Sequence, residues 1–263
     1  MVMEPDVILD IDSDGVARIT LNRPETRNAI NEHVITELTS IFERLGDDKD
    51  IRVILLRGNG KCFSAGADLD WMRRMASYTH DENIRDANAL AKMLYTLNFL
   101  PHPTIAAVHG AAMGGGAGLA CCCDIAVAAS SCIFAFSETG LGLIPATISP
   151  YVIEAIGSHA ARRYFVTAER FNADTAFRLG LVSEVAQDEL LEERVNQLIE
   201  TILHNGPLAV GAAKQLIFDV AGQPHTAELM QTTSKRIADI RASTEGKEGI
   251  TAFLEKRKPA WIK

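Results

Sequence analysis

Residues 104–145 read TIAAVHGAAMGGGAGLACCCDIAVAASSCIFAFSETGLGLIP and predict the centre of the fold. An apolar, β-branched segment leads into three consecutive glycines, 114–116, and a helix rich in Ala, Leu and Cys follows them. Glycine lets the backbone approach a ligand where a Cβ atom would block it, and the first N–H groups of a helix have no acceptor within that helix. Because a helix N-terminus carries roughly half a positive charge, this turn is predicted to face a developing negative charge.

Two common anion-binding motifs do not fit these glycines. A phosphate-binding P-loop needs Lys and Ser or Thr directly after its glycines, but Gly116 is followed by Ala, Gly, Leu and Ala. The dinucleotide pattern needs a sixth-place glycine, and that place holds Leu119 counted from Gly114 and Cys121 counted from Gly116. The remaining interpretation is a carbonyl oxygen that becomes an enolate, because backbone amides can hold such an oxygen without a lysine.

Composition bounds the class of protein and its partners. A chain of 263 residues with 47% hydrophobic and 23% charged residues is typical of a globular protein with a sizeable core. The net charge of −8 and the lack of a basic block exclude nucleic acid and anionic membranes as expected partners. Residues 1–6 lack the basic and apolar segments of a signal peptide, and His109 interrupts the longest weakly apolar run. We therefore expect a cytoplasmic protein without a membrane span.

The five cysteines include the run 121–123. Adjacent residues on a helix point about 100° apart, so these three side chains cannot bind one metal ion together. No pair of C-x-x-C motifs occurs either. We predict small buried hydrophobes rather than a metal site.

The segments before the glycines predict a hairpin and a parallel crossover. Residues 7–11 and 16–21 alternate on either side of the turn Ser-Asp-Gly. Asn31 is placed to cap a helix that ends at Gly46, and a strand with a continuous apolar run, 52–57, follows. A strand, a helix and a strand in this order indicate that the two strands pair in parallel. Later helices are predicted over 82–97, 149–156, 158–167, 173–180, 191–202, 208–220, 228–240 and 246–253.

A second junction of small residues lies within GNGKCFSAGADL at residues 58–69. Residues 64–68 predict a tight turn, and Asp68 is placed to cap the helix that follows. One N–H from each junction would reach a thioester oxygen from two sides. Glu138 lies among apolar neighbours, which favour a raised pKa and a role in moving protons. The alternative interpretation is an acid stabilised by the dipole of a short helix.

Short motifs recur in one order along the chain. They are 21–24 LNRP with 27–29 RNA, 63–69 FSAGADL, 103–108 PTIAAV with glycines 110 and 114–116, 123–125 CDI, 136–138 FSE, 141–145 LGLIP and 180–182 GLV. In this order and spacing the sequence resembles the enoyl-CoA hydratase/isomerase (crotonase) family over nearly its whole length.

The resemblance implies an α/β fold, a spiral of ββα repeats with a C-terminal helical region used in trimerisation. Residues 1–200 would form the spiral core with the active site, and residues 201–263 would form the helical region for subunit packing. The family resemblance also implies a homotrimer or a dimer of trimers. Coenzyme A would enter as part of an acyl-CoA thioester substrate, with no separate cofactor and no metal.

The resemblance assigns roles to individual residues. The amides of Ala67 and Gly115 would form the oxyanion hole, and Glu138 would transfer the proton. The other implied substrate contacts are Arg27, Ala65, Gly66, Asp68, Leu69, Gly114, Gly118, Phe253 and Lys256. For Arg27 and Lys256 the alternative interpretation is a solvated surface charge.

The chain departs from the family pattern at Gly118, where two-glutamate hydratases carry their first catalytic glutamate. Family members with a single acid at the position of Glu138 are often double-bond isomerases. Three interpretations therefore stay open: a hydratase, an isomerase that uses Glu138 alone, and a non-catalytic binder of CoA thioesters.

Other segments resemble the methylglutaconyl-CoA hydratase branch of the family. They are WM at 71–72, IPATISPYV at 144–152, AARRY at 160–164 and TAERF at 167–171. This branch predicts a glutaconyl-type substrate with its own carboxylate, and our hypothesis is that Gly118 leaves room for that group. The candidate partners of the substrate carboxylate are Arg73, Arg74, His80 and His109.

Overall fold

The structure is a computed structural model that describes residues 5–262. The strands within this range are β1 Val7–Ile11, β2 Val16–Leu21, β3 Val53–Gly58, β4 Thr104–Val108, β5 Ala111–Met113, β6 Ile125–Ala129, β7 Ile133–Ala135, β8 Phe171–Asn172 and β9 Glu184–Ala186. The helices are α1 Glu32–Asp47, α2 Leu69–Met75, α3 His80–Asn98, α4 Gly115–Cys121, α5 Ser149–Thr167, α6 Ala173–Leu179, α7 Leu191–Leu203, α8 Pro207–Val220, α9 Ala227–Ala242 and α10 Thr244–Glu255. The prediction that residues 1–6 lack a signal peptide falls partly on residues 1–4, which lie outside the described range.

The strands form two sheets of different size. The larger sheet has the order β1-β2-β3-β4-β6-β9, and the smaller sheet has the order β5-β7-β8. In the larger sheet β1 and β2 form the predicted antiparallel hairpin, and every later neighbour pairs in parallel. All five residues of β4 are buried, which is the burial expected of a parallel strand covered on both faces. Because β2 and β3 pair in parallel and α1 connects them, the predicted crossover is confirmed.

The chain alternates between the two sheets in successive ββα units. β4 joins the larger sheet, β5 joins the smaller sheet, and α4 follows; β6, β7 and α5 repeat this course. The repeat brings the ends of β5 and β7 side by side, because these two strands pair in parallel. The mixed α/β architecture predicted from the resemblance is confirmed.

Helix ends follow the predicted capping residues. Asn31 Oδ1 accepts a hydrogen bond of 2.9 Å from Val34 N and begins α1. The element α5 is interrupted at Gly157, whose φ of 74° and ψ of 156° are not helical, so it consists of two helices joined at this residue. The prediction of two helices, over 149–156 and 158–167, is therefore confirmed.

The C-terminal helices α8–α10 follow the β units, as predicted. Lys214 on α8 is buried and donates hydrogen bonds to Asp124 Oδ2 at 2.8 Å and to His102 O at 3.0 Å. This ion pair ties α8 to the residue that precedes β6. The boundary predicted between residues 200 and 201 lies inside α7, and a separate helical domain stays a prediction.

The cysteines are packed as small hydrophobic residues. Four of them are buried and Cys121 is partly buried. Burial raises the pKa of Cys121 and of Cys123 to about 12, so both remain thiols at neutral pH. None of the helices described here has both the length and the apolar character needed to cross a bilayer.

Candidate active site

Three chain segments lie side by side, and each leads to one of the predicted functional groups Ala67, Gly115 and Glu138. Ser64 forms a parallel bridge with Ala112, and Ala112 pairs with Phe134 in the smaller sheet. Ala67 and Gly115 each lie three residues beyond this row, and Glu138 lies four residues beyond it. Because parallel segments present their carboxyl ends at one edge, the row brings the two amides and the carboxyl group to the same place.

The two predicted amides have no internal hydrogen-bond acceptor. The turn at residues 64–68, which comes first along the chain and is called the first turn below, is bridged by Ile30. The backbone of Ile30 accepts a hydrogen bond from Asp68 N at 2.9 Å and donates one to Gly66 O at 2.7 Å. These bonds use the residues on either side of Ala67 and leave its N–H unbonded within the described chain. Gly115 is the first residue of α4, and its N–H likewise has no acceptor among the described residues. Both residues line one cavity.

Buried polar contacts hold the first turn in place. Ser64 Oγ donates to Asn28 O at 2.9 Å, and Asn28 Nδ2 donates to Asn59 O and to Cys62 O, each at 2.8 Å. Arg23 donates to Ala29 O at 2.7 Å. Residues of the LNRP and RNA motifs therefore hold the first turn, residues 64–68, in place through hydrogen bonds.

A side chain at two of the three consecutive glycines, Gly114 and Gly116, would meet neighbouring atoms at too short a distance. A Cβ atom on Gly116 would lie 2.7 Å from Ser64 Cβ, so this glycine lets α4 pack against the first turn. A Cβ atom on Gly114 would lie 2.9 Å from Glu138 Oε1, and Gly114 has φ 48°. The carboxyl group of Glu138 therefore lies against the residue that precedes the Gly115 amide.

Glu138 lies in a partly apolar environment. It begins the short helical turn 138–141 after β7, and Leu143 N donates to its backbone carbonyl at 3.0 Å. Its Oε2 atom is buried without a hydrogen-bond partner in the described part of the chain. Burial raises the pKa of Glu138 above its ordinary value, and a hydrogen bond with the residue's own backbone opposes part of this rise.

The cavity beside these groups has a volume of about 690 Å³. Its walls come from α2, α3, the first turn, the glycine turn and the loop before α5. They are lined by Ile30, Ala65, Gly66, Ala67, Leu69, Trp71, Met72, Met75, Asn83, Asp86, Ala87, Leu90, Gly114, Gly115, Ser137, Glu138 and residues 141–148. This lining is mostly apolar, and its charged members within residues 5–262 are the carboxyl groups of Asp86 and Glu138.

The structure brings most of the predicted site residues together. Ala65, Gly66, Ala67, Leu69, Gly114, Gly115 and Glu138 all line this cavity. The backbone carbonyl of Arg27 accepts from Ala65 N at 3.0 Å, and the Arg27 side chain is exposed and does not line the cavity. Phe253 and Lys256 lie on and just after α10, exposed and away from this cavity. Contacts of these three side chains with coenzyme A stay predictions.

The carboxylate of Asp68 caps α2. Its Oδ1 accepts from Asp70 N and Trp71 N, and its Oδ2 accepts from Arg23 at 3.0 Å. Burial alone would raise the pKa of Asp68, but the bonds from Trp71, Arg23 and Asp70 hold it below its ordinary value. The predicted cap is confirmed, while Asp68 does not line the cavity and its contact with the substrate stays a prediction.

The hypothesis about Gly118 requires a correction. It is buried in α4 and lies outside the cavity lining. A Cβ atom on Gly118 would overlap Ile148 Cγ2 and lie 2.9 Å from Ile148 Cβ. The side chain of Ile148 therefore fills the space beside this position. The hypothesis that Gly118 leaves room for a substrate carboxylate is wrong.

This packing predicts the effect of a side chain at position 118. Replacing Gly118 with alanine should destabilise the fold by about 1–3 kcal/mol through overpacking, although alanine favours a helix over glycine by about 1 kcal/mol. The same change should cost less stability in an Ile148→Ala background, because the overlapping Cγ2 atom is gone. Urea unfolding of the four proteins measures the coupling, and a stabilised Gly118→Ala protein would contradict the predicted overlap.

None of the predicted partners for a substrate carboxylate lines the cavity. Arg73 pairs with Asp70, and Arg74 pairs with Glu32 at 2.5 Å. His80 is exposed. His109 Nε2 lies 3.0 Å from Gly60 O, and His109 does not line the cavity. These four assignments are not supported.

Asp86 and Ile148 line the cavity but were not among the site residues predicted from the sequence. Asp86 shares one face of α3 with Asn83, Ala87 and Leu90, and this i, i+3, i+4, i+7 spacing was a usable signal. Ile148 offered no such signal, because its role depends on packing across from α4.

Comparison with known proteins agrees with this geometry. A family model described as enoyl-CoA hydratase/isomerase matches residues 12–263. A Legionella pneumophila crystal structure described as an enoyl CoA hydratase/isomerase (crotonase) is 46% identical, with a TM-score of 0.94 over 98% of this chain and 99% of that chain.

Curated relatives from two other organisms cover nearly the full length. The crotonyl-CoA hydratase of Syntrophomonas wolfei is 35% identical and covers 95% of both chains. The 2,3-dehydroadipyl-CoA hydratase of Escherichia coli is 35% identical over 93% of this chain and 94% of its own. Because the family model matches residues 12–263 and these relatives are at least 35% identical over nearly their full length, the chain belongs to the enoyl-CoA hydratase/isomerase family and is an enzyme of the enoyl-CoA hydratase type.

Proposed function

We propose that this protein adds water across the C2–C3 double bond of an acyl-CoA thioester, with Glu138 as its only proton-transferring carboxyl group. The observation that carries the proposal is the position of this carboxyl group against Gly114, next to the unbonded N–H of Gly115. The N–H groups of Ala67 and Gly115 would bind the thioester oxygen as it gains negative charge.

One carboxyl group is sufficient for the proton balance of this reaction. Glu138 accepts a proton from water while the water oxygen bonds to C3, and electron density moves onto the thioester oxygen. Glu138 then gives that proton to C2 as the enolate collapses. The product has gained one water molecule, and the carboxylate is restored.

The same carboxyl group supports a second candidate, isomerisation of a 3-enoyl-CoA thioester. Glu138 would take a proton from C2, the resulting dienolate would be held through its thioester oxygen by the same two N–H groups, and Glu138 would return the proton to C4. The specific observation in favour is that position 118 is a glycine without an acid and that Ile148 fills the space beside it.

The cavity favours an uncharged acyl group. Its described lining contains no Lys, Arg or His, so a substrate carboxylate would meet the carboxyl groups of Asp86 and Glu138 there without a cationic partner in the lining. The prediction of a glutaconyl-type substrate rests on the resemblance of residues 71–72, 144–152, 160–164 and 167–171, and this substrate enters the test as a direct competitor. The trimer or dimer of trimers and the cytoplasmic location also stay predictions.

The test uses three thioesters with the purified protein. We expect crotonyl-CoA to lose its conjugated absorbance and gain one water by mass spectrometry, at a higher kcat/KM than 3-methylglutaconyl-CoA. Gain of conjugation by 3-hexenoyl-CoA at unchanged mass would identify the isomerase. The proposal fails if none of the three substrates is converted.

The pKa of Glu138 predicts the pH dependence. As a base, Glu138 must be ionised, so kcat/KM should fall as the pH falls through its pKa. Because burial raises this pKa, the acidic limb should lie above pH 4.5, the ordinary value for glutamate. Initial rates across the acidic range measure the limb, with circular dichroism at each pH to verify folding. A limb at or below pH 4.5 in folded protein would contradict the assignment.

A further inference from the structure

Asp86 is a charged residue of the cavity that the proposed reaction does not use. It lies on the α3 face formed by Asn83, Asp86, Ala87 and Leu90, all of which line the cavity. Two turns further along this face, Leu94 lies 3.8 Å from the Cβ position of Gly118. Eight residues of helix span about 12 Å, so Asp86 is well separated from the part of α3 that packs against α4.

A hydrogen bond fixes the Asp86 carboxylate. The indole Nε1 of Trp71 donates to Asp86 Oδ1 at 3.0 Å. Trp71 itself is only 4% exposed, so its ring is held by packing. Asp86 Oδ2 has no hydrogen-bond partner among residues 5–262. One oxygen of the carboxylate is thus anchored, and the other is available to a ligand in the cavity.

The charge of Glu32 adds to the negative potential at Asp86. Burial raises the pKa of Asp86, the hydrogen bond from Trp71 opposes this rise, and the nearby charge of Glu32 adds to it. Arg74 binds Glu32 outside the cavity and is exposed there. No cationic side chain of the described lining faces Asp86. A second carboxylate that enters the cavity would therefore meet a like charge without a neutralising partner.

We propose that Asp86 determines acyl specificity, by disfavouring acyl groups that carry a carboxylate at the end remote from the thioester. This inference rests on the proposed function, because it takes the cavity to be the acyl site. The anchored carboxylate repels a substrate carboxylate and accepts a hydrogen bond from a hydroxyl or amide group in the same place. The selection acts on the remote end of the acyl group and leaves the reacting carbons to Glu138.

The test compares binding of hexanoyl-CoA and adipoyl-CoA, which have the same chain length and differ by one terminal carboxylate. Both thioesters are saturated, so calorimetry measures Kd without turnover. The wild-type protein should bind hexanoyl-CoA more tightly. In Asp86→Asn the Kd of adipoyl-CoA divided by the Kd of hexanoyl-CoA should fall by about tenfold or more. Most of this change should come from tighter binding of adipoyl-CoA. Asparagine keeps an oxygen acceptor for Trp71 and adds an N–H donor.

Asp81→Asn is the matched control. Asp81 lies on the same helix, is 89% exposed and stays outside the cavity lining, so its replacement changes the net charge equally. The Kd ratio should remain at the wild-type value in this variant. Asp86→Ser serves as the second variant if Asp86→Asn fails to fold, because serine also removes the charge.

The outcomes separate this inference from the proposed function. An unchanged Kd ratio in folded Asp86→Asn, an equal change in Asp81→Asn, or tighter wild-type binding of adipoyl-CoA would overturn the role of Asp86. Wild-type protein that binds both saturated thioesters with the expected preference but hydrates no enoyl-CoA would overturn the proposed function and leave the selection intact.

Discussion

Replacing Glu138 with glutamine is expected to lower kcat for enoyl-CoA hydration by about 10²- to 10⁴-fold, the usual contribution of a general acid–base group. Glutamine has nearly the same shape but cannot accept and return a proton. Its amide would still lie against Gly114, so KM should change little by comparison. Steady-state kinetics with crotonyl-CoA measures both parameters.

Stability provides the control for this variant. The folded state raises the pKa of Glu138, so this group contributes stability below its ordinary pKa and loses it as the pH rises through the raised value. At neutral pH the buried charge is thus unfavourable, and Glu138→Gln should unfold at the same or a higher urea concentration. An inactive variant that has lost stability would point to misfolding, and retained activity would refute the role of Glu138.

Removing the N–H group of Gly115 is expected to lower kcat/KM by about 10²- to 10³-fold, because one oxyanion-hole donor is lost. Proline is the appropriate replacement, since Gly115 is the first residue of α4 and proline is tolerated at that position. The added Cβ atom would lie 3.3 Å from Ile30 Cδ1, the end of a flexible side chain. Crotonyl-CoA kinetics again gives the measurement.

Gly115→Ala separates the lost donor from the added atoms. Alanine places a Cβ atom near Ile30 in the same way but keeps the backbone N–H. Its loss of activity should therefore be much smaller than that of Gly115→Pro. Equal losses in both variants would assign the effect to crowding and remove Gly115 from the oxyanion hole.

Local sequence signals determined much of the fold. The hairpin, the Asn31 cap of α1 and the Asp68 cap of α2 were predictable because each depends on neighbouring residues only. The parallel pairing of β2 and β3 followed from the order of strand, helix and strand. The break of α5 at Gly157 was also predictable, because a glycine interrupts the helical pattern at that position.

For the site, the sequence by itself determined which groups could act: two glycine-containing junctions and one glutamate among apolar residues. Only the tertiary structure decided how they are arranged and what surrounds them. The row of Ser64, Ala112 and Phe134 aligns the three segments, Ile148 fills the space at position 118, and Trp71 fixes Asp86. These contacts join residues 15 to 48 positions apart in the chain, and such packing has no signature in local periodicity.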